Sequence, residues 1–426
     1  MNALGPWLNK INTYLRWPFQ KKPDIHANPL LAPIEEQLVF VSSQHLSVGI
    51  ELELGLVNPE TLLPMNCARD VLESLDSERF HQEPAAHILE VTTGICTNVK
   101  QAEDELAARI REARTAAENI CHARLCGTGR LTLLKTADAQ LYDSDRYTLL
   151  QERRQVLHRR FNSMQGMHMH LGMRNAEECV RYHNFFTHFL PHILAISAST
   201  PVDDSGVTGL ACARPIAGES LPIAGLPYHF NTWDEYQALC KTLAQTDSIS
   251  SLKDLYWDLR PSPRLGTLEI RTPDQPATLA EAMALAAFIH CLALWFEEHS
   301  SWINEMPRPN TWRMRDNKWR VMRYGLDAQL ITSNRGDTHG LKTDIALWLK
   351  RLEDIIARQG YQPQIEVLQQ VLQRGNSSQR QQAILRATGD LKAVAAFNLR
   401  EWENGAPLWD EAERLAGPSL PAAARP

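Results

Sequence analysis

The chain carries no Cys-x-x-Cys pair. Its eight cysteines (Cys67, Cys96, Cys121, Cys126, Cys179, Cys212, Cys240 and Cys291) are scattered over 426 residues, which argues against a zinc ribbon. A chain of this length needs no disulfides, and scattered thiols suit a reducing cytosol, so a cytoplasmic location is expected. There is no G-x-x-x-x-G-K-[ST] loop and no kinase-type glycine loop, which excludes those two ways of cradling a phosphate. There is no G-x-S-x-G elbow for a serine nucleophile. Basic residues are not in excess: the formal net charge is −6, so no nucleic-acid partner is expected. No apolar run approaches the roughly 18 residues that a membrane crossing requires, so no spanning segment is expected. The opening stretch, MNALGPWLNKINTYLRWPFQKK, lacks the apolar core of a signal peptide. It is aromatic and basic, as an interfacial helix would be, but a helix docked on the same chain or on a partner subunit explains it more plainly.

What is present is an ordinary globular composition, 44% hydrophobic and 22% charged. Residues 1–44 read as an extension ending in a Pro-rich loop. Strand-like alternation begins at HLSVGIELELGLV. Helical spacing of apolar residues marks 101–124, about 176–199, and 278–300, the last with Thr278 and Glu281 placed as a capping box. From about residue 340, ALWLKRLEDII, QIEVLQQVLQR and SSQRQQAILRATGDLKAVAAFNLREWE read as helices, and GPSLPAAARP as a flexible tail. The expected organisation is an extension (1–44), a catalytic domain (45–334), a helical C-terminal region packed on it (335–416) and a tail (417–426). Strands mixed with helices and then helices alone argue α+β, an antiparallel sheet covered by helices.

Four segments repeat one motif, charged residues two apart between apolar neighbours. GIELELGL offers Glu51 and Glu53, GMHMHLG His168 and His170, WDLRP Asp258 and Arg260, and GTLEIRT Glu269 and Arg271; HILEVTTG adds a single Glu90. On a strand, residues two apart share a face. Any one pair is explained by a solvated strand face. Together they populate that face with only Glu, His, Asp and Arg, where surface strands normally mix in Thr and Lys. Carboxylates and imidazoles bind divalent cations, and an oxygen-rich set suits Mg²⁺ or Mn²⁺. Arginines beside such a cation are tolerated when an anion lies between, and phosphate matches their planar fork. The residues therefore point to a metal–phosphate site on the face of a sheet. Cys96, in TTGICTNV, could place a thiol nearby, although a small buried apolar role accounts for it more simply.

The stretches VGIELEL, EPAAHILEVTTGI, DRYTLL, QGMHMHLG, LPHILAISASTP, PIAGLPYHF, LYWDLRPSPRLGTLEIRTPDQP and NKWRVMRYGLDA, in that order over about 46–330, resemble the glutamate–cysteine ligase type 2 family of carboxylate-amine ligases. The resemblance implies a glutamine-synthetase-like fold, with an antiparallel sheet forming an active-site funnel. It implies an ATP-dependent ligase that phosphorylates a carboxylate, usually the side chain of glutamate, and lets an amine such as cysteine displace phosphate. ATP and Mg²⁺ or Mn²⁺ would be the cofactors, and a homo-oligomer is expected. The positions matching the family's metal ligands are Glu51, Glu53, Glu90, His168 and Glu269, with His170 supporting them. Arg260 and Arg271 match phosphate-contacting arginines, Arg264 belongs with them on the nucleotide side, and Arg146 and Arg214 match substrate-carboxylate arginines.

The chain departs from the family at two places. Val202, Asp203, Asp204 and Val207 stand where relatives carry an aromatic stretch, and Gly129 stands where relatives often carry a histidine. Both changes concern the amine acceptor. Two other readings fit the same superfamily: a phosphotransferase that stops at phosphoryl transfer, and a non-catalytic metabolite-binding homologue. Retention of the glutamates counts against the second.

Overall fold

The computed structural model describes residues 32–75, 78–142, 162–203, 206–221, 223–302 and 310–417. Among these, seven strands form one antiparallel sheet: β1 (Val48–Val57), β2 (Phe80–Gln82), β3 (Ile88–Thr92), β4 (Arg124–Cys126), β5 (Met167–Gly172), β6 (Leu259–Ser262) and β7 (Thr267–Ile270). The order across the sheet is β6-β7-β5-β1-β3-β2, with β4 pairing with the far end of β1. The alternation predicted from sequence is met strand by strand. Ile50, Leu52 and Leu54, then Leu89 and Val91, Met167, Met169 and Leu171, and Leu268 and Ile270 are fully buried on one face. A one-residue slip would turn that whole set toward the polar face, so the apolar pattern fixes the register.

Helices cover the apolar face. α1 (Val99–Cys121) buries Val99, Ala102, Leu106, Ile110, Ala113 and Ala117, a stripe at helical spacing, and Asn98 caps it by accepting from the Gln101 N–H. It starts two residues before the predicted position. The predicted helix over 176–199 is two helices, α2 (Ala176–Thr187) and α3 (Leu190–Ser197). Pro191, with no N–H to donate, sits in the first turn of the second and starts it afresh. α4 (Leu279–Glu298) is apolar on all sides and lies in the core. It corrects the expectation that no segment is long and apolar enough to cross a membrane: by length and composition this one is, with 83% of its apolar window buried inside the fold.

Only half of the predicted capping box at Thr278 forms. Thr278 accepts from the Glu281 N–H, but the Glu281 carboxylate accepts the Thr278 hydroxyl at 3.0 Å and the Arg380 guanidinium at 2.9 Å in place of the Thr278 N–H. Arg380 lies on α7 and pairs also with Glu401 of α8 at 2.8 Å, where α5 is Thr311–Tyr324, α6 Gln362–Arg374, α7 Ser377–Thr388 and α8 Leu391–Asn404. This buried three-charge cluster ties the C-terminal helices to the start of α4. Two further contacts fasten the same region. Trp402 of α8 lies so close over Gly127, just beyond β4, that a Cβ there would enter its ring. Tyr361 accepts the Val99 N–H at 2.9 Å and meets His290 of α4 at 2.8 Å.

Candidate active site

The polar face of the sheet is built by register. Glu51 of β1 stands opposite His168 of β5, and Glu53 opposite Glu90 of β3. His170 stands opposite Glu269 of β7, which in turn faces Arg260 of β6. Four strands thus bring Glu51, Glu53, Glu90, His168 and Glu269 together, with His170 among them. Glu83, which precedes β3, joins them: Glu53, Glu83 and Glu90 have carboxylate oxygens within 4.8 Å of one another. Two more triads overlap it, Glu51–Glu90–His168 and Glu51–His170–Glu269. Glu83 was not singled out in the sequence because it lies off the strand, where alternation says nothing. Its one signal is its place at the head of the stretch EPAAHILEV.

The hydrogen bonds define which way each group faces. Glu51 takes one imidazole on each oxygen, His168 Nδ1 at 2.8 Å and His170 Nε2 at 3.0 Å. His170 Nδ1 also meets the Thr267 hydroxyl at 2.8 Å, so both of its nitrogens are used within the fold. His168 Nε2 is buried without a partner, 3.8 Å from Glu53 Oε1. With Nδ1–H donated to Glu51, its Nε2 lone pair is aimed among the carboxylates, as a metal-binding imidazole's is. Glu53 Oε2 accepts the Gly166 N–H at 2.6 Å.

The charges divide into two zones. On the β6–β7 side Glu269 is held between two guanidiniums: Arg260 donates from Nε at 2.9 Å and Nη2 at 2.7 Å, and Arg271 donates to the other oxygen. Burial alone would raise the Glu269 pKa, but Arg260 and Arg271 pull it far below the carboxylate range. Glu51 is likewise pulled down, against burial, by its two histidines. On the β1–β3 side the opposite holds. Burial, then neighbouring Glu53, pushes Glu83 up to about 7. Burial and Glu83 push Glu90 well up, and burial pushes Glu53 up although Arg214 opposes it. Carboxylates crowded in this way want a cation. An oxygen-dominated set with one free imidazole nitrogen fits a hard divalent ion such as Mg²⁺ or Mn²⁺.

The remaining candidates fall in different places. Arg271 lies one step past β7 and reaches both Glu269 and an open cleft. Arg214 begins a short helix (Arg214–Glu219) and donates to the carbonyls of Arg271 (3.2 Å) and Thr272 (3.4 Å). Its guanidinium lies against Gly166, where a Cβ would collide with it. Arg264 sits exposed on the β6–β7 hairpin turn and is not brought to the cluster. The pattern that puts Arg260 on the polar face ends at that turn, so Arg264 does not share it. Asp258 precedes β6 and pairs with Lys318 at 2.6 Å, not with the carboxylate group. Cys96 is fully buried in the core, its backbone paired with Val48. Arg146 lies outside the described residues.

The architecture is shared with solved ligases. A glutamate–cysteine ligase of Francisella tularensis, determined in complex with AMP, matches with a TM-score of 0.57 at 14% identity over 88% of this chain and 93% of that one. A bifunctional glutathione synthetase of Pasteurella multocida matches with a TM-score of 0.59 at 15% identity over 86% of this chain. The present chain spans about half of that longer protein, 52%. The fold is glutamine-synthetase-like. The family model described as Glutamate-cysteine ligase family 2 matches residues 47–396. Proteins named "Putative glutamate--cysteine ligase 2" align along nearly their whole lengths. That of Bdellovibrio bacteriovorus is 36% identical over 84% of this chain and 95% of its own, and that of Thermobifida fusca 34% identical over 89% and 96%. The chain belongs to glutamate–cysteine ligase family 2.

Proposed function

We propose that the protein uses ATP to activate a carboxylate, the side chain of glutamate or a similar acid, as an acyl phosphate that an amine such as cysteine then displaces to give an amide. The observation that carries this reading is the polar sheet face, where two arginines converge on Glu269 beside carboxylates that repel one another. Glu51, Glu53, Glu83, Glu90, Glu269 and His168 would hold Mg²⁺ or Mn²⁺, which would offset phosphate charge during phosphoryl transfer. Arg271 would meet phosphate oxygens, with Glu269 fixing the plane of its guanidinium, while Arg260, bound by Glu269 and by the carbonyls of Leu252, Lys253 and Leu255, would hold Glu269 in place. Arg214 faces the same region from the Gly166 side and suits a substrate carboxylate. His170, bound by Glu51 and Thr267, holds Glu51 in orientation for its neighbours. The AMP carried by the Francisella protein supports nucleotide use on this fold. The free thiols of all eight cysteines support a reducing compartment, the cytoplasm.

Product analysis tests the reading. With ATP and Mg²⁺, phosphate release should require both a carboxylate and an amine, and mass spectrometry should find a new amide. A phosphorylated product that accumulates with one substrate alone would favour a phosphotransferase.

A further inference from the structure

Beside the candidate metal-binding face lies an open cleft lined among others by Arg214, Glu219, Asp258 and Arg271. Two cations and two anions in one cleft ought to pair with each other. They do not. Arg214 bonds only backbone carbonyls with its guanidinium and forms no ion pair among the described residues. Arg271 pairs with Glu269, outside the cleft. The two cleft carboxylates are taken instead by a third cation: Lys318 of α5, its side chain 5% exposed, reaches Glu219 Oε1 at 2.7 Å and Asp258 Oδ2 at 2.6 Å. Asp258 also accepts the Arg271 N–H on its carbonyl at 2.8 Å, so it adjoins the arginine it does not neutralise.

We propose that Lys318 is a positioning residue that occupies Glu219 and Asp258 and so keeps Arg214 open for a substrate anion, beside Arg271 on the phosphate side. For the identity of that anion, a carboxylate, the proposal rests on the ligase reading; for the charge arrangement it does not. Without Lys318, Glu219 and Asp258 are left unpaired at the cleft wall, and the cations lining the same cleft are the two arginines. Asp258, its side chain 12% exposed, then seeks another partner because its desolvation is no longer offset, and Glu219, 43% exposed, competes as a charge at the cleft mouth. The cleft would then close on itself electrostatically, and an incoming anion would have to compete with two carboxylates already in place.

The test uses the full-length protein and two readouts. The first is the labelling rate of Arg214 by phenylglyoxal, followed by peptide mass spectrometry, which needs no turnover. The second is the KM for the carboxylate substrate. Lys318→Met should slow Arg214 labelling and raise that KM by roughly ten-fold or more. Lys318→Arg should behave as the natural protein. The decisive variant is Lys318→Met combined with Glu219→Gln and Asp258→Asn, which removes the competing carboxylates and also the unpaired buried charge that could unfold the single variant. It should restore both readouts to within about two-fold. A triple variant that folds but stays as impaired as Lys318→Met would overturn the proposal, as would unchanged labelling in Lys318→Met. Labelling that follows the prediction while no carboxylate is ever consumed would uphold the role of Lys318 and remove the ligase reading alone.

Discussion

Two glutamates on the same sheet face should respond in opposite ways to the same substitution. Glu269 accepts from two guanidiniums and its side chain is 4% exposed. Glu269→Gln keeps the shape but takes from Arg260 and Arg271 the charged carboxylate that both bond. Removing one partner of a buried ion pair costs about 3–5 kcal/mol, so that loss is expected here. Glu53 has one close hydrogen-bond partner, the Gly166 N–H, which a glutamine oxygen can still accept. Burial raises its pKa, and Glu51 adds like charge, so in the absence of metal its ionised form is held at a cost. Glu53→Gln should therefore change stability by less than about 1 kcal/mol in a chelator. The assay is urea unfolding at pH 7.5 in EDTA and again in Mg²⁺. Mass action gives a bound ion about 2.7 kcal/mol of stabilisation at a hundred times its dissociation constant, and Glu53→Gln should lose most of that gain. Equal destabilisation by both substitutions in EDTA, or a full Mg²⁺ gain in Glu53→Gln, would refute the division of the face into a paired zone and a cation-requiring zone.

Other outcomes follow from the same structure. Because Glu83 titrates near 7 in the fold and lower when unfolded, the metal-free native state binds more protons between about pH 4.5 and 7. Stability in EDTA should therefore fall as pH rises through that window, and the fall should be smaller in Glu83→Gln; a melting series in EDTA checks this. Added Mg²⁺ should raise the melting temperature strongly at pH 8 and little at pH 5, which calorimetry at the two pH values would show. A Cβ at Gly129 would lie 2.5 Å from Thr200 Cγ2 and 3.0 Å from Asp274 Cγ, so Gly129→Ala should cost about 1–3 kcal/mol by urea unfolding. Tyr361→Phe leaves the buried Val99 N–H without an acceptor and should cost about 1–3 kcal/mol in the same assay.

The site was legible where it lies on strands, because a period of two turns sequence spacing into a shared face. Glu51, Glu53, His168, His170 and Glu269 could be placed together without knowing strand order; only their pairing partners required the structure. Glu83 and Lys318 escaped that logic, one on a connecting segment and the other on a helix whose aim depends on packing. Arg264 shows the reverse: it shares a matched stretch with Arg260 but not its strand. The core helices were legible from periodicity, while the break before Pro191 and the diversion of Glu281 to Arg380 depend on local and long-range chemistry that a helical pattern does not carry. Asp258, with the spacing of a face residue, falls just before β6 and pairs with the buried ammonium of Lys318.

The most direct test of the central claim is isotope transfer. Glutamate labelled with ¹⁸O in its side-chain carboxylate would be incubated with the protein, ATP, Mg²⁺ and a panel of amines including cysteine, and the released phosphate and amide analysed by mass spectrometry. Activation as an acyl phosphate predicts one ¹⁸O in each phosphate released, in step with a new amide that forms with a particular amine. An amide formed with unlabelled phosphate, or phosphate released with no amide from any amine in the panel, would contradict the account.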